Sequence, residues 1–293
     1  MADTCVAVSA RLARMATPPL TIRQRTNLDG FPKPGELIEI TGAHELEAAD
    51  RAILNLLYQH AHDSGRLGDH TAEWEVPMST LRASRHKGNE RIRDSLDRLM
   101  RVVVTVPQPD RRTGEPRETK THLFDFFDLS TDEASERATV RFGVPTKLQP
   151  ILIASNRWGR IKAEVVCAMT SKYAIALYEM IQLRANMDRC VETFPLARFR
   201  DLLGVPPGAY ERGANFAARV TDPAVLEVNG LSDMGVELTL ARRSKFAPID
   251  GVTVSWWKKE GDEFRAAMRE RNRSKVGRMA RLKGAVETAA VAL

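Results

Sequence analysis

The chain has 293 residues, 43% of them hydrophobic and 28% charged, which is the composition of a globular protein long enough for two domains. This composition excludes a wholly disordered chain, and because no apolar run reaches about 18 residues, no membrane-spanning helix is expected. The net charge is +6, with eight basic residues and one acidic residue between Phe264 and Gly284. Such a segment favours a polyanionic partner, nucleic acid rather than a membrane, because no apolar face accompanies its charges.

The N-terminus lacks the core of a signal peptide, because Arg11 and Arg14 interrupt its apolar run. A cytoplasmic protein is therefore expected. The three cysteines, Cys5, Cys167 and Cys190, lie far apart and show neither a disulfide framework nor zinc-binding spacing. We expect no metal ion and no cofactor.

The first half of the chain begins with a segment that lacks hydrophobic periodicity. Residues 1–35 contain four prolines among polar residues, which predicts a flexible arm. Further along, segments whose apolar residues recur at three- and four-residue steps predict helices, and segments in which apolar residues alternate predict strands. In order, the patterns predict a helix from His44 to His62, a strand from Trp74 to Val76, a helix opening at Pro77, a helix from Asn89 to Arg101, and strands from Val102 to Val106 and from Thr121 to Phe127.

The second half repeats this order about 118 residues later. The segment Val76-Pro77-Met78 aligns with Phe194-Pro195-Leu196, and the same kinds of element surround both. This agreement predicts an internal duplication. The elements predicted in the second half are a helix from Ser171 to Met187, a strand from Val191 to Phe194, a helix from Pro195 to Leu203, a helix from Arg212 to Asn229, and strands from Val236 to Leu240 and from Val252 to Trp257.

A helix, a short strand, two further helices and a β-hairpin are the elements of a winged helix-turn-helix. In that unit the last helix faces the DNA major groove and the hairpin forms the wing. The sequence thus predicts an α+β fold of two tandem winged-helix domains, and a generic pair of α+β domains is the alternative. The predicted divisions are the flexible arm over residues 1–35, a first winged-helix domain over 36–150, a second over 151–260 and a basic C-terminal tail over 261–293.

Three segments of the second half carry a family resemblance. Ser171 to Glu179 follow the pattern S-x-Y-A-I-x-L-Y-E, Phe199 to Val205 the pattern L-R-x-x-L-G-V, and Tyr210 to Asn229 the pattern Y-x(5)-F-x-x-R-V-x-x-P-A-x-x-E-I-N. In these segments the chain resembles the iteron-binding replication initiators of theta-replicating bacterial plasmids, the Rep family built of two winged-helix domains. The first half is similar mainly in the order of its elements, and the basic tail lies outside the resemblance.

The resemblance implies a protein that recognises directly repeated sites, called iterons, in double-stranded origin DNA and helps to open the duplex. It also implies that the protein recruits the host replication initiator and helicase machinery. The first domain is then used for dimerisation, with dimers repressing the protein's own promoter and monomers initiating replication. Plasmid copy number is controlled by this balance.

The last helix of the second half supports DNA binding independently of the resemblance. Phe216 and Val220 mark its inner face, so that Asn215 and Arg219 point outward and Arg212 stands near its start. Asparagine suits adenine and arginine suits guanine in the major groove, whereas a solvated face without contacts is the alternative.

Pro223 interrupts the same helix and has no amide hydrogen to donate. We therefore expect the helix to kink there or to restart with Asp222 as its cap. The segment before Pro223 is the expected base-reading part.

Basic residues near the hairpins are candidates for phosphate contacts, which fix register without reading sequence, although a solvated turn is the alternative. The first-half candidates are weaker, because the faces of that domain are expected to serve dimerisation. The candidates are Arg242, Arg243 and Lys245 in the second half, Arg91 and Arg93 on a helix of the first half, and Arg111, Arg112 and Arg117 in its loop.

The first-half strands are rich in β-branched and aromatic residues, so we predict that an exposed edge pairs with a second copy of the chain. Val104 is the predicted edge residue. On the last strand of the second half, Trp256 aligns with Val252 and Val254, which predicts that it lies in the core.

The sequence contains no catalytic motif whose residues have the required spacing. His60-Ala61-His62 is similar to the metal motif of rolling-circle nickases, but residues two apart on a helix point about 200° away from each other. No G-x-x-x-x-G-K-[ST] phosphate loop occurs, and the chain is not expected to be an enzyme.

A winged-helix transcriptional regulator without a replication role is the nearest alternative. Tandem direct repeats beside AT-rich DNA favour the initiator, and a lone inverted repeat favours the regulator.

Overall fold

The computed structural model describes residues 29–82, 90–107, 110, 112–131, 137–242 and 247–284. The strands are β1 (Phe31–Pro34), β2 (Glu73–Pro77), β3 (Val103–Pro107), β4 (Glu118–His122), β5 (Phe126–Leu129), β6 (Thr139–Gly143), β7 (Trp158–Ile161), β8 (Val191–Pro195), β9 (Met234–Arg242) and β10 (Ile249–Lys258).

The helices vary in length, and no described helix is long and apolar enough to cross a membrane. The α-helices are α1 (Gly35–Ile38), α2 (Ala48–Asp63), α3 (Glu90–Arg101), α4 (Gln149–Ala154), α5 (Ala163–Ala168), α6 (Lys172–Arg184), α7 (Leu196–Leu203), α8 (Gly213–Phe216), α9 (Asp222–Leu231), α10 (Gly261–Asn272) and α11 (Arg278–Leu282). The remaining helical segments are 3-10 turns at Ala43–Glu45 and Met78–Leu81 and a π-helical segment at Ala217–Thr221.

The first half contains a three-stranded antiparallel sheet with strand order β2-β6-β5. Trp74 and Val76 of β2 are buried while their neighbours are exposed, as the alternating sequence predicts. The helix predicted to open at Pro77 is a short 3-10 turn, and α3 follows at Glu90.

The prediction of one strand from Thr121 to Phe127 is wrong, because the chain forms two strands there. β4 pairs with β3, whereas β5 joins β6 in the other sheet. Between them, Leu123 and Phe124 turn into the core, where the Leu123 carbonyl accepts a 2.9 Å hydrogen bond from the Tyr58 hydroxyl. The wing of the first half is therefore the β5–β6 hairpin, and β3–β4 is an additional hairpin.

The second half repeats the sheet of the first, with strand order β8-β10-β9. In both sheets the strand that follows the first long helix pairs with the last strand of the wing hairpin. Trp256 lies in the core, as predicted, with only 2% of its surface exposed. The structure confirms the predicted α+β fold with two winged-helix units.

A two-stranded sheet joins the halves. β1 pairs antiparallel with β7, from Phe31 opposite Ile161 to Pro34 opposite Trp158. The prediction of a flexible arm is therefore wrong for Phe31–Pro34, which belong to the fold. Residues 1–28 lie outside the described part. The core of buried apolar side chains is continuous across both halves.

A buried polar network lies beside this small sheet. Lys33 of β1 forms a 2.8 Å ion pair with Glu179 of α6, and the side chains are 2% and 4% exposed. Asn55 of α2 donates to the same carboxylate at 2.7 Å and accepts from Lys33 at 3.2 Å. The network thus connects three elements that are far apart in the sequence.

Candidate nucleic-acid interface

The helix predicted to read DNA is continuous from Gly213 to Leu231 and is named the recognition helix below. Pro223 neither breaks it nor makes Asp222 a cap, because the π-helical segment precedes it and both Thr221 and Asp222 keep helical backbone angles. Proline fits the first turn of an α-helix, where its missing amide hydrogen has little consequence. The predicted kink or restart is therefore corrected to a π-helical widening.

The predicted outer face of the recognition helix is exposed. Arg212, Asn215 and Arg219 all reach solvent, while Phe216 and Val220 are 1% and 0% exposed. Ala214 and Ala218 are exposed between the longer side chains. Because both alanines are small, they leave room for base edges close to this face. The arginine and asparagine side chains on the face supply two types of hydrogen-bond donor.

The motif residues of the second half hold the recognition helix in place. The buried Glu227 carboxylate accepts hydrogen bonds from the backbone amides of Thr170 (2.9 Å) and Ser171 (3.0 Å) at the start of α6. The Asn229 side chain exchanges two hydrogen bonds with the backbone of Val236 on β9, at 2.8 and 3.0 Å. The family pattern E-I-N therefore serves packing of this helix.

The wing of the second half meets the start of the recognition helix. Arg242 is exposed at the end of β9, and its guanidinium lies beside Gly213. Together with Tyr210 and Ile249, these residues line an open crevice of about 370 Å³. Arg243 and Lys245 lie outside the described residues. One cation of the predicted wing cluster thus lies next to the predicted base-reading face.

Helix α3 of the first half carries exposed residues of both charges. Arg91 is exposed, but Arg93 turns inward and its guanidinium donates to the Ser130 carbonyl. Asp94 and Asp97 are exposed on the same helix. Arg93 therefore connects this helix to the β5–β6 hairpin, and its candidate role in phosphate contact stays a prediction.

The loop candidates of the first half lie on the additional hairpin rather than on the wing. Arg112 is exposed, Arg117 pairs with Asp110 at 3.3 Å, and Arg111 lies outside the described residues. The Asp110 carboxylate also accepts from the Arg112 and Thr113 amides, which folds the hairpin tip. These cations therefore lie on the β3–β4 hairpin, outside the three-stranded sheet β2-β6-β5 that repeats the sheet of the second half.

The basic segment after Gly261 forms helices α10 and α11, which pack against α9. Arg278 is buried, and its guanidinium donates to the Ala168 carbonyl at 2.8 Å. Other basic side chains of the segment also have partners within the protein: Arg265 with Asp262, Arg271 with Glu164, Arg273 and Arg281 with Glu270, and Lys275 with the Cys167 carbonyl. Most of these charges therefore have partners within the protein, which sequence composition does not reveal.

Replacing Arg278 by methionine should lower the free energy of unfolding by about 1.5–3 kcal/mol, because buried carbonyls lose a charged donor. Chemical denaturation measures this loss, with the exposed Arg269→Met as a control of unchanged stability. The salt dependence of DNA binding should stay the same for Arg278→Met. A decrease of about 0.9 in that slope would instead place Arg278 on a phosphate.

The two histidines of the metal-like motif lie on different sides of α2. His60 is exposed, whereas His62 is buried beside Asp63, with 3.2 Å between Nδ1 and Oδ1. Within the described residues, no three His, Cys, Asp or Glu side chains are grouped to hold a metal ion. The prediction that the chain is not an enzyme stays a prediction.

Sequence reasoning missed Arg200 and Lys33. Arg200 stands in the pattern L-R-x-x-L-G-V, which marks the position but not its partner. Lys33 stands among prolines in the predicted arm and gives no local signal of burial. Arg200 donates to the Ala209 and Tyr210 carbonyls across the turn that follows its helix. Lys33 donates to Glu179, which is 146 residues away in the sequence.

Comparison with protein-family models gives two matches. The model described as "Initiator Replication protein, WH1" matches residues 33–182, and the model described as "Initiator Rep protein, WH2" matches residues 195–256. No curated protein sequence gives a significant match.

A solved structure shares the fold. The crystal structure of the Pi initiator protein in complex with iteron DNA is similar with a TM-score of 0.58 and 13% sequence identity, covering 78% of this chain and 97% of that chain. The family matches cover both winged-helix units and more than half of the sequence. The chain therefore belongs to the family of plasmid replication initiator proteins built from two winged-helix domains.

Proposed function

We propose that this chain initiates plasmid replication by binding directly repeated sites in double-stranded origin DNA through its second domain. One observation carries the proposal: Arg212, Asn215 and Arg219 are exposed on one face of the recognition helix, whose start lies beside Arg242. Base-reading and phosphate-binding side chains thus share one surface. The family matches and the iteron DNA bound by the similarly folded Pi initiator support it.

Footprinting on the noncoding DNA of the plasmid that encodes the chain tests this proposal. We expect protection of tandem direct repeats beside AT-rich DNA. Protection of a lone inverted repeat at a promoter, without any protected direct repeats, would instead establish a transcriptional regulator.

Origin opening and recruitment of the host initiator and helicase machinery belong to the same proposal. The sequence has no phosphate loop for ATP, so duplex opening has to be driven by the free energy of DNA binding. These steps place the protein on plasmid DNA in the bacterial cytoplasm.

We also propose that the first domain dimerises, with dimers repressing the promoter and monomers starting replication, but through a different strand edge from the one expected. Val104 is fully buried, and Thr105 of β3 exchanges backbone hydrogen bonds with Thr41. β3 is thus partly covered, and Val104→Lys would disrupt the core rather than an interface. β4 pairs with β3 alone among the described strands, which makes its other edge the candidate for pairing.

Replacing Lys120 of β4 by proline should shift the protein toward the monomer. Because Thr105 bonds to Thr41, its partner Lys120 directs its own amide away from β3, toward the candidate interface. Proline removes that donor without removing a β3–β4 hydrogen bond.

Sedimentation across a concentration series measures this shift, together with binding to direct repeats, which should increase. Lys120→Ala keeps the amide and is the matched control for loss of charge. A Lys120→Pro variant that still dimerises like the unmodified protein would rule out this edge.

A further inference from the structure

The turn before the recognition helix has an unusual backbone. Between α7 and the recognition helix, Gly204 and Gly208 have φ angles of +69° and +74°, and Tyr210 has a φ of +54°. Tyrosine rarely adopts a left-handed conformation, which persists where surrounding contacts fix it. The start of the recognition helix thus depends on contacts that hold Tyr210.

Arg200 of α7 provides such contacts. Its guanidinium donates to the Tyr210 carbonyl at 3.2 Å and to the Ala209 carbonyl. The same group lies 5.2 Å from the ring centroid of Phe216, the buried anchor on the inner face of the recognition helix. One side chain therefore joins the first helix of the helix-turn-helix to the end of the turn and to the helix that follows.

A second contact fixes Tyr210 from α6. The Tyr173 side chain interacts with that of Tyr210, and burial, with Tyr210 as a further cause, raises the pKa of Tyr173 to about 12. The Tyr173 phenol therefore stays neutral at physiological pH. Tyr210 is thus held at its carbonyl by Arg200, and its side chain interacts with Tyr173.

We propose that Arg200 is a positioning residue for sequence recognition: through Tyr210 and Phe216 it sets the direction in which Arg212, Asn215 and Arg219 enter the major groove. This inference rests on the proposed function. Arginine suits the role because its planar donors reach two carbonyls while its face stacks on an aromatic ring. Contacts with bases tolerate little displacement, whereas contacts with phosphates are less directional, so misplacement should affect specific binding most.

Binding of Arg200→Met to the direct repeat and to random DNA tests the inference. We expect the ratio of the two affinities to fall about tenfold, the loss typical of a charge-assisted hydrogen bond. The salt dependence on random DNA should be unchanged, because Arg200 contacts no phosphate in this scheme. Arg198→Met is the matched control: Arg198 lies on the same helix, and the described residues give it no hydrogen bond to the turn. It should leave the ratio unchanged.

Arg200→Lys is the milder variant and guards against a folding defect, which circular dichroism and the thermal midpoint would reveal. Lysine reaches one carbonyl and does not stack in the same way, so its affinity ratio should lie between those of the unmodified protein and Arg200→Met. An unchanged ratio in folded Arg200 variants would overturn the inference, as would a decrease of about 0.9 in the salt slope on random DNA, which indicates direct phosphate contact. If the unmodified protein does not prefer the repeat, the proposed function fails and this inference fails with it.

Discussion

Replacing Lys33 by methionine should reduce the free energy of unfolding by about 3–5 kcal/mol, because it leaves the Glu179 carboxylate buried without its cation. The ammonium and carboxylate are 2.8 Å apart, and both side chains are almost inaccessible to solvent. Burial lowers the pKa of Lys33, and the nearby Glu179 opposes that shift. Each charge is therefore tolerated in the interior only because the other is present. Loss of either partner leaves a buried charge whose desolvation is not compensated, and this destabilises the folded protein.

Urea denaturation measures the effect, and a second substitution tests its cause. Adding Glu179→Gln to Lys33→Met should recover part of the loss, because the remaining buried group is neutral. Arg157→Met is the control: 62% of the arginine is exposed, and its partner Glu39 keeps an ion pair with Arg184, so the loss should be about 0–1 kcal/mol. A loss for Lys33→Met no larger than that of the control would contradict the buried ion pair of Lys33 with Glu179 as a source of stability.

Replacing Arg219 by alanine should weaken binding to the direct repeat by about 1–3 kcal/mol and binding to random DNA only slightly. Arg219 is exposed in the middle of the recognition helix, where a guanidinium can reach base edges. Arg242→Ala should weaken binding to both DNAs about equally and reduce the salt slope by about 0.9, because it removes a phosphate contact at the wing.

Parallel titrations of both variants on both DNAs at several salt concentrations distinguish the two roles. Arg269→Ala, an exposed cation on α10, is the control for the general loss of one positive charge. Equal losses on both DNAs for Arg219→Ala would place Arg219 on the backbone and contradict its assignment to base reading.

The local spacing of apolar residues predicts which faces of the long elements are buried. In the recognition helix, the spacing of Phe216 and Val220 places Arg212, Asn215 and Arg219 outside, and the structure agrees. This works because helix geometry alone relates residues three and four apart. The repeated order of elements likewise predicts two winged-helix units, since each element is recognisable from local periodicity.

The pairing of strands and the partners of charged side chains depend on contacts between distant parts of the chain. The pattern from Thr121 to Phe127 predicts one strand, but Thr121 lies in β4 and Phe127 in β5, and these strands belong to different sheets. Lys33 lies in a proline-rich segment but pairs with Glu179, and Arg278 lies in a basic run but caps the Ala168 carbonyl. Strand partners and the partners of long charged side chains are distant in sequence, so local periodicity carries no information about them, and the packing of the whole chain selects them.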